Sequence, residues 1–123
     1  MQVQFENQKV AELFYDLTNV VGSSNLIKKK CGVELAKQIK KRYIQLIAFN
    51  TFGELLQSRV AKVEALLGDK KGTYSMHLTA NYRLIIQPVV IQNSLEELNR
   101  CDTVIIKGVI DYHGKSRNNW LIP

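Results

Sequence analysis

The stretch Gly72-Thr73-Tyr74-Ser75-Met76-His77-Leu78-Thr79-Ala80-Asn81-Tyr82-Arg83-Leu84-Ile85-Ile86-Gln87-Pro88-Val89-Val90 decides the fold. From Thr73 to Thr79 the side chains alternate. Tyr74, Met76 and Leu78 share one face, while Thr73, Ser75, His77 and Thr79 share the other. Ala80-Asn81 is expected as a two-residue turn, because asparagine tolerates positive φ. Tyr82 to Val90 then returns as a second strand, with Pro88 near its end where a lost N–H donor is tolerable. The two strands should form an antiparallel hairpin. Arg83 falls on the face opposite Leu84 and Ile86. His77, in mid-strand, reads as a packing or surface residue rather than a catalyst.

Working outward, Met1 to Phe5 alternates as a short strand. Val10, Leu13, Phe14, Leu17, Val20 and Val21 repeat at helical spacing, with Asn7 as N-cap and Gly22-Ser23-Ser24-Asn25 as the stop. A second helix is expected from Val33 to Phe49. Its apolar stripe is Leu35, Ala36, Ile39, Tyr43, Leu46 and Ile47, and its outer face carries Lys37, Lys40 and Lys41. A short helical piece follows from Phe52 to Gln57. Ser94-x-x-Glu97 is a capping-box pattern, so Leu95 to Asn99 should be one helical turn. Thr103 to Tyr112 is the last strand. The order is β-α-α followed by a three- to four-stranded antiparallel sheet. Helices packed on one face make this an α+β domain, with the other face left for a ligand.

The 123 residues suit one domain, and 46% apolar content allows one modest core. Lys plus Arg number 17 against 11 Asp plus Glu, a net charge of +6. So small a basic chain attracts polyanions, nucleic acid first and an acidic protein second. No apolar run approaches the ~18 residues that span a bilayer. The opening MQVQFENQKV lacks the pattern of a signal peptide. Cys31 and Cys101 share no motif spacing, so they read as reduced thiols of a cytoplasmic protein, with no metal site.

On the last strand, strict alternation places Asp111 and His113 on one face with Lys107 and Val109, and Tyr112 on the other. An aspartate two residues from a histidine orients the imidazole, and such a group moves protons. Equally, DxH is a common solvated strand end. Arg83, flanked by apolar residues, is either a bidentate phosphate clamp or a structural ion pair, for instance to Asp111. Lys70 and Lys71 sit in a Gly-Asp-Lys-Lys-Gly loop, which reads as a charged turn or as a contact for a backbone anion. Lys28-Lys29-Lys30 reads the same two ways. Residues 114–123, with Lys115, Arg117 and Trp120, form a basic tail that either frays or docks Trp120 and Leu121 on the domain or a partner.

With these residues in place, the chain resembles the RelE/ParE superfamily of toxin–antitoxin toxins, in particular its HigB-like branch. The opening strand with two helices, GDKKGTYSMHLTANYRLIIQPV and the closing VIIKGVIDYH carry the resemblance, over a single domain spanning residues 1–113. It implies a RelE-like fold and a ribosome-dependent, metal-independent endoribonuclease that needs no cofactor. In that scheme the ribose 2′-hydroxyl attacks the adjacent phosphate in the decoding site. Arg83 matches the arginine of the family's YRL strand and would bind the scissile phosphate. Lys70 and Lys71 match its basic turn and would hold the RNA backbone, with Lys62 and Lys107 as further contacts. Asp111, Tyr112 and His113 match its terminal cluster, His113 moving the proton and Asp111 orienting it. Where the branch usually carries a histidine before the basic turn, this chain has Glu64. Either Glu64 accepts the proton, or His113 works without it, or cleavage is weak. The resemblance also implies a tightly bound helix-turn-helix antitoxin, operator DNA reached through that antitoxin, and no membrane association. The alternatives are a non-catalytic ParE-like toxin acting on a topoisomerase, and a degenerate domain that only binds RNA or antitoxin.

Overall fold

The computed structural model describes residues 1–19, 32–112 and 118–122, with backbone alone at residues 17–19, 112, 118 and 119. Val20, Val21, the Gly22-to-Asn25 stop, Lys28 to Lys30, Cys31, His113, Lys115 and Arg117 lie outside the described residues.

The described elements are β1 (Gln2–Phe5), α1 (Gln8–Asn19), α2 (Val33–Ala48), α3 (Phe52–Ser58), β2 (Glu64–Ala65), β3 (Tyr74–His77), β4 (Tyr82–Pro88), α4 (Leu95–Arg100), β5 (Thr103–Tyr112) and β6 (Asn118–Ile122). Single 3₁₀ turns occupy Val60–Lys62 and Gly68–Lys70. The α+β order expected from the sequence is present. Its start signals work as anticipated. Asn7 Oδ1 accepts from the Val10 amide at 3.0 Å, and Ser94 Oγ from the Glu97 amide at 3.2 Å. Thr51 Oγ1 caps α3 by accepting from the Glu54 amide at 3.2 Å.

The strands run β1-β5-β4-β3-β2, with β6 also paired to β5. The sheet is mixed rather than antiparallel throughout, because β1 pairs parallel to β5, Gln2 with Thr103 through Phe5 with Ile106. The helices between them supply the long crossover that a parallel pair requires. Ten-residue β5 then carries β1 along its first half and β6 along its second, Val109 to Tyr112. Residues 118–122 of the expected tail are therefore a strand, and Ile122 is fully buried in the core.

One face of the sheet receives the helices. Met76, Leu84, Val109 and Ile122 form a row in register across four strands, each wholly buried. Against them pack Val10, Leu13 and Phe14 of α1, Leu35, Ala36, Ile39 and Leu46 of α2, and Phe52 and Leu55 of α3. Phe5, Phe14 and Tyr43 form a ring cluster with centroids 5.3–6.3 Å apart. Ile47 departs from its expected place in the stripe. It lies half-exposed because it sits 100° around the helix from Leu46, beyond the edge of the buried arc.

Two local features differ from the alternation read in the sequence. First, β3 ends at His77, and the amides of Leu78 and Thr79 both donate to the Tyr82 carbonyl, at 3.1 and 3.4 Å. The turn is thus wider than Ala80-Asn81. Second, β5 contains a bulge. Ile85 pairs with Gly108 but Ile86 with Ile106, leaving Lys107 as the extra residue. The bulge exchanges the faces beyond it, so Lys107 and Val109 no longer share one. Val109 enters the core, Ile110 turns to the opposite face, and Asp111 pairs with Tyr82, whose side chain packs against the core. Asp111 is therefore on the helix side.

Candidate functional site

The face away from the helices holds two aligned rows. Glu64, Ser75, Ile85 and Gly108 are partners in register across β2, β3, β4 and β5. His77, Arg83, Ile110 and Trp120 are partners across β3, β4, β5 and β6. Partners in register project on one side of a sheet. Ile85, Ile110 and Ser75 are buried and make a floor. The face is not bare, as the sequence suggested; residues 66–73 arch over it from one side and Trp120 from the other. Two adjoining clefts remain.

The first cleft has a volume of about 350 Å³, and its wall includes Glu64, Leu66, Asp69, Lys70, His77 and Arg83. Each group is placed by the local backbone. Glu64 sits at the start of β2, two residues after a stretch in which Arg59, Ala61 and Lys62 hold φ of 60°, 57° and 47°. Three left-handed residues in so short a stretch turn the chain sharply from α3 onto the sheet edge. Lys70 belongs to a well-bonded turn. The Lys71 amide donates to Gly68 O at 3.1 Å, while the Thr73 amide and hydroxyl both donate to Lys70 O, at 3.0 and 2.5 Å. Lys70 Nζ lies 3.9 Å from Asp69 Oδ1.

Arg83 is anchored by its own hairpin. Its Nη1 donates to the carbonyls of Thr79 at 2.9 Å, Tyr82 at 3.0 Å and Ala80 at 3.3 Å. The guanidinium is therefore both a turn-former and a fixed cation at the cleft. Across from it, His77 has its carbonyl held at 2.9 Å by Arg42 Nε, reaching over from α2. Burial pulls the His77 imidazole below its ordinary value of 6.5, and the neighbouring Arg83, Lys62 and Arg42 cations push the same way, against Glu64. Burial likewise lowers the Arg42 guanidinium. The imidazole is thereby biased toward its neutral form, beside a fixed guanidinium and the Glu64 carboxyl group.

His77 is the group the sequence reading passed over. A partial signal for it was present: with Tyr74 and Met76 inward, period 2 sends His77 to the open face, whereas its pairing with Arg83 rather than Leu84 follows from the turn being wider than Ala80-Asn81. Arg42 left no such signal. Of the expected residues, Arg83, Glu64 and Lys70 come together at this cleft, with Lys62 near enough to act on His77. Lys71 lines the second cleft with Lys107. Lys107 is also ion-paired to Glu6 at 2.8 Å. Asp111 is on the other face, Tyr112 is described by its backbone alone, and His113 is outside the described residues. Among the described residues, no three His, Cys, Asp or Glu side chains are grouped to hold a metal ion, and no helix is long and apolar enough to cross a membrane.

No family model matches the sequence, and no curated protein matches it. Among the solved structures similar to it are two toxins. One is a YoeB-YefM complex from Staphylococcus aureus, at 17% identity and a TM-score of 0.48, covering 93% of this chain and 98% of that one. The other is a YoeB/ParE toxin from Agrobacterium tumefaciens, at 12% identity and a TM-score of 0.47, covering 93% of this chain and all of that one. At such identities neither likeness speaks for this chain's activity.

Proposed function

We propose that this chain is the toxin of a type II toxin–antitoxin pair of the RelE/ParE superfamily, and that it cuts mRNA on the ribosome as a metal-independent endoribonuclease. One observation carries the reading. Arg83 and His77 stand directly opposite each other in the same cleft as Glu64 and Lys70, with the imidazole biased toward its neutral form. Transesterification of RNA asks for that set of groups. Arg83 holds the scissile phosphate and Lys70 its neighbour. The ribose 2′-hydroxyl gives its proton to His77, with Glu64 as the flanking carboxylate that steadies the imidazolium. The new O2′–P bond forms as the P–O5′ bond breaks. The departing 5′ oxygen takes its proton from solvent, and the product is a cyclic phosphate. A helix-turn-helix antitoxin masks the basic cleft, and the pair binds operator DNA through the antitoxin.

The test is cleavage of a defined mRNA by the full chain, with and without programmed ribosomes and in the presence of EDTA. Cutting should require ribosomes. His77→Gln should slow it roughly 10²- to 10⁴-fold, the usual worth of a general base. Arg83→Lys keeps a cation but not the fork, and should also be slow. A wild-type chain that leaves mRNA intact while gyrase–DNA breaks accumulate would replace this reading with topoisomerase inhibition.

A further inference from the structure

The second cleft adjoins the first, with Asp69 and Lys70 as their shared wall. Its volume is about 380 Å³, and Trp120, Lys70, Lys71, Thr73, Gln87 and Lys107 line it. Trp120 remains 43% exposed although β6 is hydrogen-bonded into the sheet and Ile122 is fully buried. The Lys70 ammonium stands over its ring face, 5.9 Å from the centre, and must swing toward the phosphate for a base to stack there. The indole edge lies beside Gly108, where an added Cβ would fall on the Ile122 carbonyl and come within 3.1 Å of the ring. A smaller hollow of about 300 Å³ opens beside it, between Glu6, Asn7 and Lys107. Trp120 is thus a half-open aromatic wall, rimmed by cations and held by backbone pairing.

We propose that Trp120 is the stacking platform of a nucleobase subsite, which holds a base of single-stranded RNA whose backbone runs past Arg83. This rests on the proposed RNA-cleaving function of the first cleft. Arg83, Ile110 and Trp120 are consecutive in one row, so the arginine and the indole stand two strand spacings apart, about 10 Å. An extended nucleotide next to the scissile one reaches that far. Lys70 and Lys71 meet its phosphate from above, and the ring takes the base. Gln87 supplies the amide that the base edge would meet, and the Thr73 hydroxyl, which donates to the Lys70 carbonyl, can only accept. Stacking tolerates any base, while a hydroxyl and an amide favour some edges over others. Two polar groups facing an aromatic wall fit a base better than an acidic side chain, which would need only the lysines.

The chain has a single tryptophan, so its fluorescence reports this site alone. The probe is a short single-stranded oligoribonucleotide, 2′-methoxy at every ribose so that it cannot be cut, titrated into the full chain. Saturable quenching is expected. Trp120→Leu should weaken binding roughly tenfold or more, read by anisotropy of a labelled oligomer. Trp120→Phe should stay within about threefold, since it keeps the platform. Removing the base at one position of the oligomer should cost as much as Trp120→Leu, with no further loss when the two are combined. Urea midpoints show whether each variant is folded; should Trp120→Leu not fold, Trp120→Phe and the abasic oligomers decide. Equal binding of abasic and intact oligomers overturns the subsite, as does equal displacement by a poly-glutamate peptide. If Arg83→Lys weakens the oligomer and Trp120→Leu does not, the subsite falls and the catalytic cleft stands. If neither variant changes binding, the RNA reading of the whole face falls with it.

Discussion

Gly108→Ala should be the most damaging single methyl that can be added to this sheet. Gly108 has a φ of +148°, and an added Cβ would fall on the Ile122 carbonyl and crowd the Trp120 ring. Two contributions follow. The backbone conformation costs an L-residue about 1–3 kcal/mol wherever it is imposed. The collision is with backbone, so no rotamer change relieves it, and β6 must lift. Lifting β6 exposes Ile122, whose complete burial is worth about 1.5–3 kcal/mol. The expected loss is roughly 2.5–6 kcal/mol, a large share of the 5–15 kcal/mol by which a domain of this size is stable. Gly72→Ala is the matched control. Gly72 has a φ of +92° but open space where its Cβ would be, so only the conformational part applies, about 1–3 kcal/mol. Urea unfolding followed by far-UV circular dichroism measures both. Tryptophan emission of Gly108→Ala in native buffer should shift to the red as Trp120 leaves the sheet. A loss equal to that of Gly72→Ala, with unchanged emission, would refute the argument that β6 is seated by the absence of a side chain at 108.

The lowered pKa of His77 fixes the sign of a pH effect. The unfolded chain holds that proton more tightly than the folded one, so below pH 6.5 the unfolded state binds more protons and stability falls as the pH drops. His77→Gln should flatten that slope, and an unchanged stability profile between pH 7 and pH 5 would contradict the environment assigned to the imidazole. Lys62→Gly should act twice. It relieves a left-handed lysine with a φ of 47°, adding up to about 1 kcal/mol of stability, and it removes one of the cations that depress His77. Unfolding measurements and an NMR titration of the imidazole should therefore both rise relative to the native chain; a loss of stability would mean that Lys62 holds the 59–62 turn through its side chain.

What could be read in the sequence was local. The described parts of the helix stripes other than Ile47, the Asn7 and Ser94 caps and the inward set Tyr74, Met76 and Leu78 each depend on neighbours within one turn or one strand, and they appear as expected. What could not be read depends on pairing at a distance. The parallel match of β1 to β5 links residues a hundred positions apart, and neither strand alone states its direction. The misplacement of Asp111 is different, since its cause was visible. A glycine inside a strand marks a bulge, and Lys107-Gly108 sits in the middle of VIIKGVIDYH. One extra residue there reverses every face after it. With the bulge included, Ile110 rather than Asp111 falls beside Arg83, and the acid of the terminal cluster leaves the cleft.

Arg83 shows why a structural and a chemical reading of one residue need not compete. Three carbonyls hold its Nη1, so the guanidinium has lost its rotamer freedom before any ligand arrives. An arginine rich in rotamers gives up about 0.5–1.5 kcal/mol when a complex immobilises it, and here folding has already met that cost. The same bonds close the turn that brings His77 and Arg83 into register, so one residue sets the distance between the proposed phosphate clamp and its proposed proton acceptor. Removing the side chain destroys both functions together, which makes Arg83→Ala a poor probe of either. Lysine separates them. Its single ammonium can still bond the Thr79 and Tyr82 carbonyls, but it cannot present a second edge to an anion. A variant that keeps the wild-type urea midpoint and loses cleavage would show that the fork serves the ligand. A variant that loses both would show that the turn cannot form without it.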